Sequence, residues 1–155
     1  MAQGKIIITQ LSLAQPYLSQ ILAIERSSFN HYDAYNPADF KRWVAYNPHL
    51  CWMAISGQRV AGYVISRALP DTLDLASLAV HPDYRRCGVG AALLDRTILQ
   101  MGKYGVNRIE LEVRRSNRAA IDFWQKLGFV PFGELPGFYG DGEDALRMRK
   151  TIPPI

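Results

Sequence analysis

The residue types that could do chemistry gather in two stretches. The first is Arg85-Arg86-Cys87-Gly88-Val89-Gly90-Ala91, two guanidinium groups and two glycines set where an apolar run ends and a helical pattern begins. Glycine lets a backbone approach a ligand closely, and the first turn of a helix offers N–H groups with no carbonyl partner and a partial positive charge. Together they make an anion site, most naturally one for a phosphate or pyrophosphate. The second stretch is Arg108-Ile109-Glu110-Leu111-Glu112-Val113. Its strict alternation turns Ile109, Leu111 and Val113 one way and Glu110 and Glu112 the other, so two carboxylates, groups able to move a proton, share one face.

Two familiar phosphate loops do not match. A Walker A loop ends in Gly-Lys followed by Ser or Thr, whereas Gly90 is followed by Ala91 and Ala92. The dinucleotide fingerprint needs a third small residue where this chain has Leu93. Other reactive types are sparse. Cys51 and Cys87 lack the paired spacing of a zinc site and read as reduced thiols. The three histidines, His31, His49 and His81, form no two-histidine motif, so no metal site is expected, and His81 before Pro82 reads as a turn residue.

Elements that must position these residues follow from period and punctuation. Leu73 to Val80 is short and apolar, as a buried strand is, and Ala91, Leu94, Ile98 and Met101 recur at helical spacing behind the glycine turn. Upstream, Lys5 to Thr9 is a β-branched run, Gln15-Pro16 opens a helix to about Ser27, and Asn36-Pro37 opens another that stops before Pro48. Between those helices lies the aromatic, polar connector Phe29 to Tyr35, a plausible wall for a substrate pocket. Cys51 to Ile55 and Val60 to Ser66 form a hairpin through Ser56-Gly57-Gln58-Arg59. Downstream of the alternating strand, Ser116 or Asn117 caps a helix with Ala120, Phe123, Trp124 and Leu127 on one face, and Gly128 ends it. Val130 to Phe132 and Ala145 to Met148 close the sheet, joined by a turn-rich loop that carries Tyr139. The fold class is α/β (α+β): one domain over residues 1–151 with a mixed, mostly antiparallel sheet of about seven strands, about four helices, and a short tail at 152–155.

Bulk properties bound the rest. A chain of 155 residues, 48% hydrophobic and 21% charged, is long enough to bury a real core. A net charge of +4 suits an anionic ligand. The arginines are scattered instead of forming a run, so nucleic-acid binding is not expected. No apolar stretch approaches the roughly 20 residues that span a bilayer, and the first residues do not form a signal segment. The expected setting is the cytosol, as a monomer or weak homodimer.

Three segments in order, the strand with its Arg-x-x-Gly-x-Gly-Ala turn, Leu111-Glu112-Val113-Arg114 with Ser116-Asn117, and the Lys126-Leu127-Gly128-Phe129 helix exit, resemble the GNAT superfamily of acetyl-CoA-dependent N-acetyltransferases. Ile24-Glu25 with Phe29, and Tyr139 followed by Gly142-Glu143-Asp144-Ala145, make the chain most similar to the branch, bacterial and archaeal, that acetylates protein N-termini. The resemblance implies a sheet whose two central strands splay apart. Arg85, Arg86, Cys87, Gly88, Val89, Gly90 and Ala91 would hold the coenzyme A pyrophosphate, the main chain of Leu78, Ala79 and Val80 would pair with the pantetheine arm, and Asn117 and Trp124 would sit beside it. Glu112 would stand next to the incoming amine as general base, with Glu110 its rival and a surface pair with Arg114 or Arg85 the alternative. Phe29, Tyr32 and Tyr139 would meet the acceptor, with the Tyr139 hydroxyl as the second catalytic group. One departure matters: the family's leaving-group tyrosine is here Trp124, whose indole N–H donates hydrogen bonds but is no proton-transfer acid. The implied reaction is direct attack of a primary amine, a protein or peptide N-terminal α-amine first, on the thioester in a ternary complex. Acetylation of a small amine or lysine, and a coenzyme A-binding module without turnover, are the alternatives.

Overall fold

The computed structural model describes residues 4–153. Seven strands, β1 (Ile7–Gln10), β2 (Cys51–Ser56), β3 (Arg59–Ala68), β4 (Leu73–Val80), β5 (Arg108–Arg114), β6 (Val130–Leu135) and β7 (Ala145–Thr151), form one sheet in the order β1-β2-β3-β4-β5-β7-β6. Four helices, α1 (Tyr17–Ser28), α2 (Pro37–Tyr46), α3 (Val89–Met101) and α4 (Arg118–Lys126), flank it. Every neighbouring pair is antiparallel except β4 and β5, which are parallel and joined through α3. The seven strands and four helices read from the sequence are all present. β1 begins two residues later than the β-branched run suggests, β6 extends to Leu135, and Pro154 and Ile155 of the expected tail lie outside the described residues.

Local chemistry explains the boundaries. Asn36 accepts the Asp39 N–H and Asp39 accepts the Asn36 N–H, each at 2.9 Å, closing a capping box in front of Pro37. Asn117, not Ser116, caps α4 by accepting the Ala120 N–H at 3.1 Å. On one sheet face α3 and α4 pack over Leu73, Leu75, Ile109, Leu111 and Met148, and on the other α1 and α2 pack over Met53, Tyr63 and Ile65. Each fully buried side chain of this size is worth about 1.5–3 kcal/mol.

Two features were not expected. The apolar stripe of α3 is turned, burying Val89, Leu93, Leu94, Thr97 and Met101 and leaving Ala91 and Ile98 half-buried. Gly62 on β3 makes room for this arrangement: a Cβ there would stand 2.8 Å from the Ala79 carbonyl and 3.0 Å from Val89, at the start of α3. Second, the register of β3 on β4 slips so that Ile65 faces Ser77 but Ser66 faces Leu75, leaving Ala76 as an extra residue. Leu73 and Leu75 look toward α3 and α4, whereas beyond this bulge Ser77 and Ala79 look toward α1.

Candidate active site

The turn before α3 is a cradle of main-chain donors. A short 3-10 turn, Pro82–Tyr84, is capped by His81, whose Nδ1 accepts the Asp83 N–H at 3.0 Å. Beyond it Arg86 (φ 62°) and Gly88 (φ 77°) both adopt the left-handed conformation. Such alternation turns successive N–H groups to one side, the geometry of an anion nest, and a non-glycine residue held there is strained by about 1–3 kcal/mol. The first intrahelical bond of α3 runs from the Ala92 N–H to the Gly88 carbonyl, so the amides of Val89, Gly90 and Ala91 find no acceptor within the helix. Arg85, Arg86, Gly88, Val89, Gly90 and Ala91 line the outer chamber of a cleft there, whereas the exposed Cys87 side chain lies off that wall.

Pairing between β4 and β5 covers only Leu73 with Ile109 and Asp74 with Glu110. The strands then part, and from Leu75 to Val80 the β5 side of β4 has no strand paired to it among the described residues. The cleft passes through this gap. Its outer chamber, ≈ 600 Å³, lies on the α3 and α4 face and reaches Leu78, Ala79 and Val80. A middle chamber, ≈ 410 Å³, holds Leu111, Val113, Asn117, Phe123 and Trp124 from that face together with Asp33, Ser77 and Glu112 from the other. A third, ≈ 510 Å³, opens on the α1 and α2 face between Phe29, Tyr32, Tyr35, Trp43, Phe138 and Tyr139. Phe29 borders all three, and Glu112 and Tyr139 border the inner two. All three volumes fall in the range of small-ligand sites.

The two strand carboxylates have different environments. Glu110 is enclosed by Arg108, Arg147 and Arg149 at 3.3, 3.2 and 3.0 Å, which commits it to structure. Glu112, half-buried in the gap, makes no ion pair among the described residues. Arg85 instead donates to the Val80 carbonyl at 3.4 Å, and Arg114 is occupied elsewhere. Burial first, and the negative charge of Asp74 second, raise the proton affinity of Glu112 above that of an ordinary glutamate. Tyr139 is also held above the usual phenol range, by burial and then by Asp33, so it is a neutral hydrogen-bonding hydroxyl. Burial pushes Tyr35 up to about 12.

Arg114 fastens the mouth of the inner chamber. Its guanidinium binds Asp33 in a two-pronged contact at 2.6 and 2.9 Å, Asp141 at 2.9 Å and Glu143 at 2.8 Å, and lies over the Tyr139 ring at 4.3 Å. It thereby ties the α1–α2 connection to the β6–β7 loop. Glu143 in turn accepts the Ser116 N–H at 2.8 Å.

Glu25 is a site residue whose surroundings its sequence position hides. It sits one residue after Ile24 and four after Ile21, on the buried stripe of α1, and is 1% exposed. Its carboxylate accepts from the Tyr63 hydroxyl, from Ser77 Oγ at 3.0 Å and from the Tyr35 N–H at 3.0 Å. Three donors face it, two of them hydroxyls that can also accept. Glu25→Leu leaves the Tyr35 N–H and both hydroxyls without this acceptor, and an unpaired buried group costs about 1–3 kcal/mol. Thermal unfolding of the variant should show a clearly lowered midpoint, and an unchanged one would contradict this network.

With this geometry in view, a family model described as the Acetyltransferase (GNAT) family matches residues 18–129. The chain belongs to the GNAT family. A GNAT relative, the [ribosomal protein bS18]-alanine N-acetyltransferase of Escherichia coli K12, is 44% identical over 97 residues, 61% of this chain. That match spans 66% of the relative's own length. The crystal structure of the ribosomal-protein-S18-alanine N-acetyltransferase from Escherichia coli superposes with a TM-score of 0.78 at 30% identity, covering 97% of this chain and 96% of that one. Ard1 from Thermoplasma volcanium superposes with a TM-score of 0.87 at 25% identity, covering 96% and 99%.

Within this GNAT frame, Trp124 is 7% exposed and packs edge-on against Phe123 and Phe129, with ring centroids 5.0 Å apart in each pair. Gly90 has a role beyond the cradle: a Cβ there would lie 2.7 Å from the Phe123 ring, so the glycine admits α4 against the start of α3. Among the described residues no helix is long and apolar enough to cross a membrane.

Proposed function

We propose that the protein transfers the acetyl group of acetyl-CoA to the α-amine of a protein or peptide N-terminus. The observation that carries this reading is the cleft that passes between β4 and β5, with a main-chain anion cradle at one end, an acidic chamber at the other, and Glu112 in the gap. The cradle amides and Arg85 and Arg86 suit a pyrophosphate. The open β4 edge suits the pantetheine amides, and the Asn117 NH2 group, left over once its oxygen caps α4, suits one of their carbonyls. Glu25, Asp33, Asp74 and Glu112 line the inner chamber against Arg67 on its wall and Arg114 at its mouth, an acidic excess that suits an amine arriving as an ammonium.

The chemistry then follows. Glu112 takes one proton from the ammonium, breaking an N–H bond. The freed lone pair forms the C–N bond, the C–S bond breaks, and sulfur leaves as thiolate while the second amine proton passes to solvent. Deprotonating an α-amine at pH 7 costs about 1 kcal/mol, against about 4.6 kcal/mol for lysine, so a single carboxylate matches the α-amine. Trp124 offers no proton to the thiolate, and Tyr139, with its proton held tightly, serves as a hydrogen-bonding wall with Phe29 and Tyr32.

The test is a panel of peptides with free and blocked N-termini, followed by thiol release and product mass. Acetylation confined to free α-amines is expected. Products only on lysine or small amines, or coenzyme binding without thiol release, would contradict the proposal. Arg114→Met should raise the acceptor KM several-fold by loosening the two loops, with the acetyl-CoA KM unchanged, in steady-state kinetics that vary each substrate in turn.

A further inference from the structure

Asp74 exchanges no proton in the reaction proposed above, yet it stands beside the group that does. It occupies the last residue pair at which β4 and β5 are still joined, opposite Glu110, and lines the same inner chamber as Glu112. Leu75 and Leu111 point to the α3 and α4 face, so Asp74 and Glu112 share the other. The Asp74 side chain is 25% exposed and is fixed by the Arg67 Nε at 3.1 Å. Arg67 itself lies over Trp43 and Tyr46, at 4.9 and 5.7 Å from their ring centres. An acid placed this way is held in position, and Arg67 favours its charged form against the burial that raises its own proton affinity.

We infer that Asp74 is a positioning residue for the reaction, a fixed negative charge that sets the pH at which Glu112 becomes able to take a proton, with Arg67 limiting how much of that charge Glu112 feels. The inference rests on Glu112 being the base. Two carboxylates in one poorly solvated chamber oppose each other's ionisation. Each pKa unit gained by the base brings it a factor of ten closer to the ammonium it must deprotonate.

The other groups facing Glu112 are committed or neutral. Arg147 on β7 is its register partner and favours the ionised form, and Glu110 on its own strand is enclosed by three arginines. Asp33 from the α1–α2 connection is bound to Arg114, and Glu25 from α1 is bound to Tyr63 and Ser77. Tyr35 and Tyr139 stay protonated well past neutrality. Asp74 differs because the one side chain that pairs with it, Arg67, makes no ion pair with Glu112 among the described residues, while Arg147 acts on both carboxylates through space.

The experiment is the pH profile of kcat/KM for acetylation of an α-amine peptide by the wild type, Asp74→Asn, Asp74→Glu, Arg67→Met and Glu112→Gln. Asp74→Asn removes the opposing charge, so the acidic limb should move down by about one pH unit. Arg67→Met should move it up, and Asp74→Glu should restore it. The 13C shift of the Glu112 side-chain carboxyl reads the same midpoints without turnover. If Asp74 served only to hold Arg67, Asp74→Asn would lower the unfolding temperature and leave the midpoint in place, which overturns the inference, as would Asp74→Asn and Arg67→Met moving it the same way. Loss of the limb in Glu112→Gln, together with an unmoved midpoint in Asp74→Asn, sinks this inference alone. An intact limb in Glu112→Gln sinks the base assignment and this inference with it.

Discussion

Replacing Glu112 by glutamine should lower turnover toward an α-amine acceptor at neutral pH by about a hundred- to ten-thousand-fold and leave the affinity for coenzyme A unchanged. The two parts belong together. Glu112 carries no ion pair among the described residues, so glutamine leaves no paired group uncompensated, and the near-identical shape keeps the chamber intact. In the proposed reading the nucleotide end is held by amides at residues 89–91, on the far side of the gap. What the amide cannot do is accept the proton, a loss felt in the transition state and hardly in the ground state. Calorimetry with coenzyme A and initial rates with saturating peptide separate the two. Equal turnover would remove Glu112 from the mechanism.

Gly88→Val should weaken coenzyme A binding by tenfold or more, about 1.4 kcal/mol. Gly88 sits at φ 77°, and a Cβ there would meet nothing within 4 Å, so crowding is not the issue. The cost lies in the backbone, about 1–3 kcal/mol for a residue held in a sparsely populated conformation, and a β-branched residue escapes it by turning its peptide groups away. That escape dismantles the alternation of Arg86 and Gly88. Gly102 follows the same helix at φ −58° in equally open space, so Gly102→Ala is the matched control and should bind as the wild type does. Calorimetric titration of the two variants checks the contrast.

These expectations draw on parts of the molecule that differed in legibility. The passage from β4 through the glycine turn into α3 could be read because the apolar period changes there from two to 3.6 around recognisable turn residues. Glu112 could be read because alternation assigns its face whatever else the fold does. Three features could not. The Ala76 bulge arises from pairing with β3, and the uninterrupted alternation of burial along β4 conceals that its outward face has switched. The partners of Arg114 lie 81, 27 and 29 residues away in sequence, and although alternation gives Arg114 the face of Glu112, nothing local names those partners. Glu25 did leave a signal, a carboxylate placed where the helical period calls for an apolar residue, but its partners come from two strands and a loop. In each case the missing information was the third dimension, since buried polar groups choose partners by proximity in the fold.

The most direct measurement is a crystal structure of the protein with a conjugate in which coenzyme A is joined through an acetyl linker to a peptide α-amine. The diphosphate should lie on the amides of residues 89–91, the pantetheine along the open β4 edge, and the linked nitrogen within hydrogen-bond or single-water reach of the Glu112 carboxylate, with the peptide leaving past Phe29 and Tyr139. A conjugate bound with its diphosphate away from that turn, or with Glu112 turned from the linked nitrogen, would contradict the account.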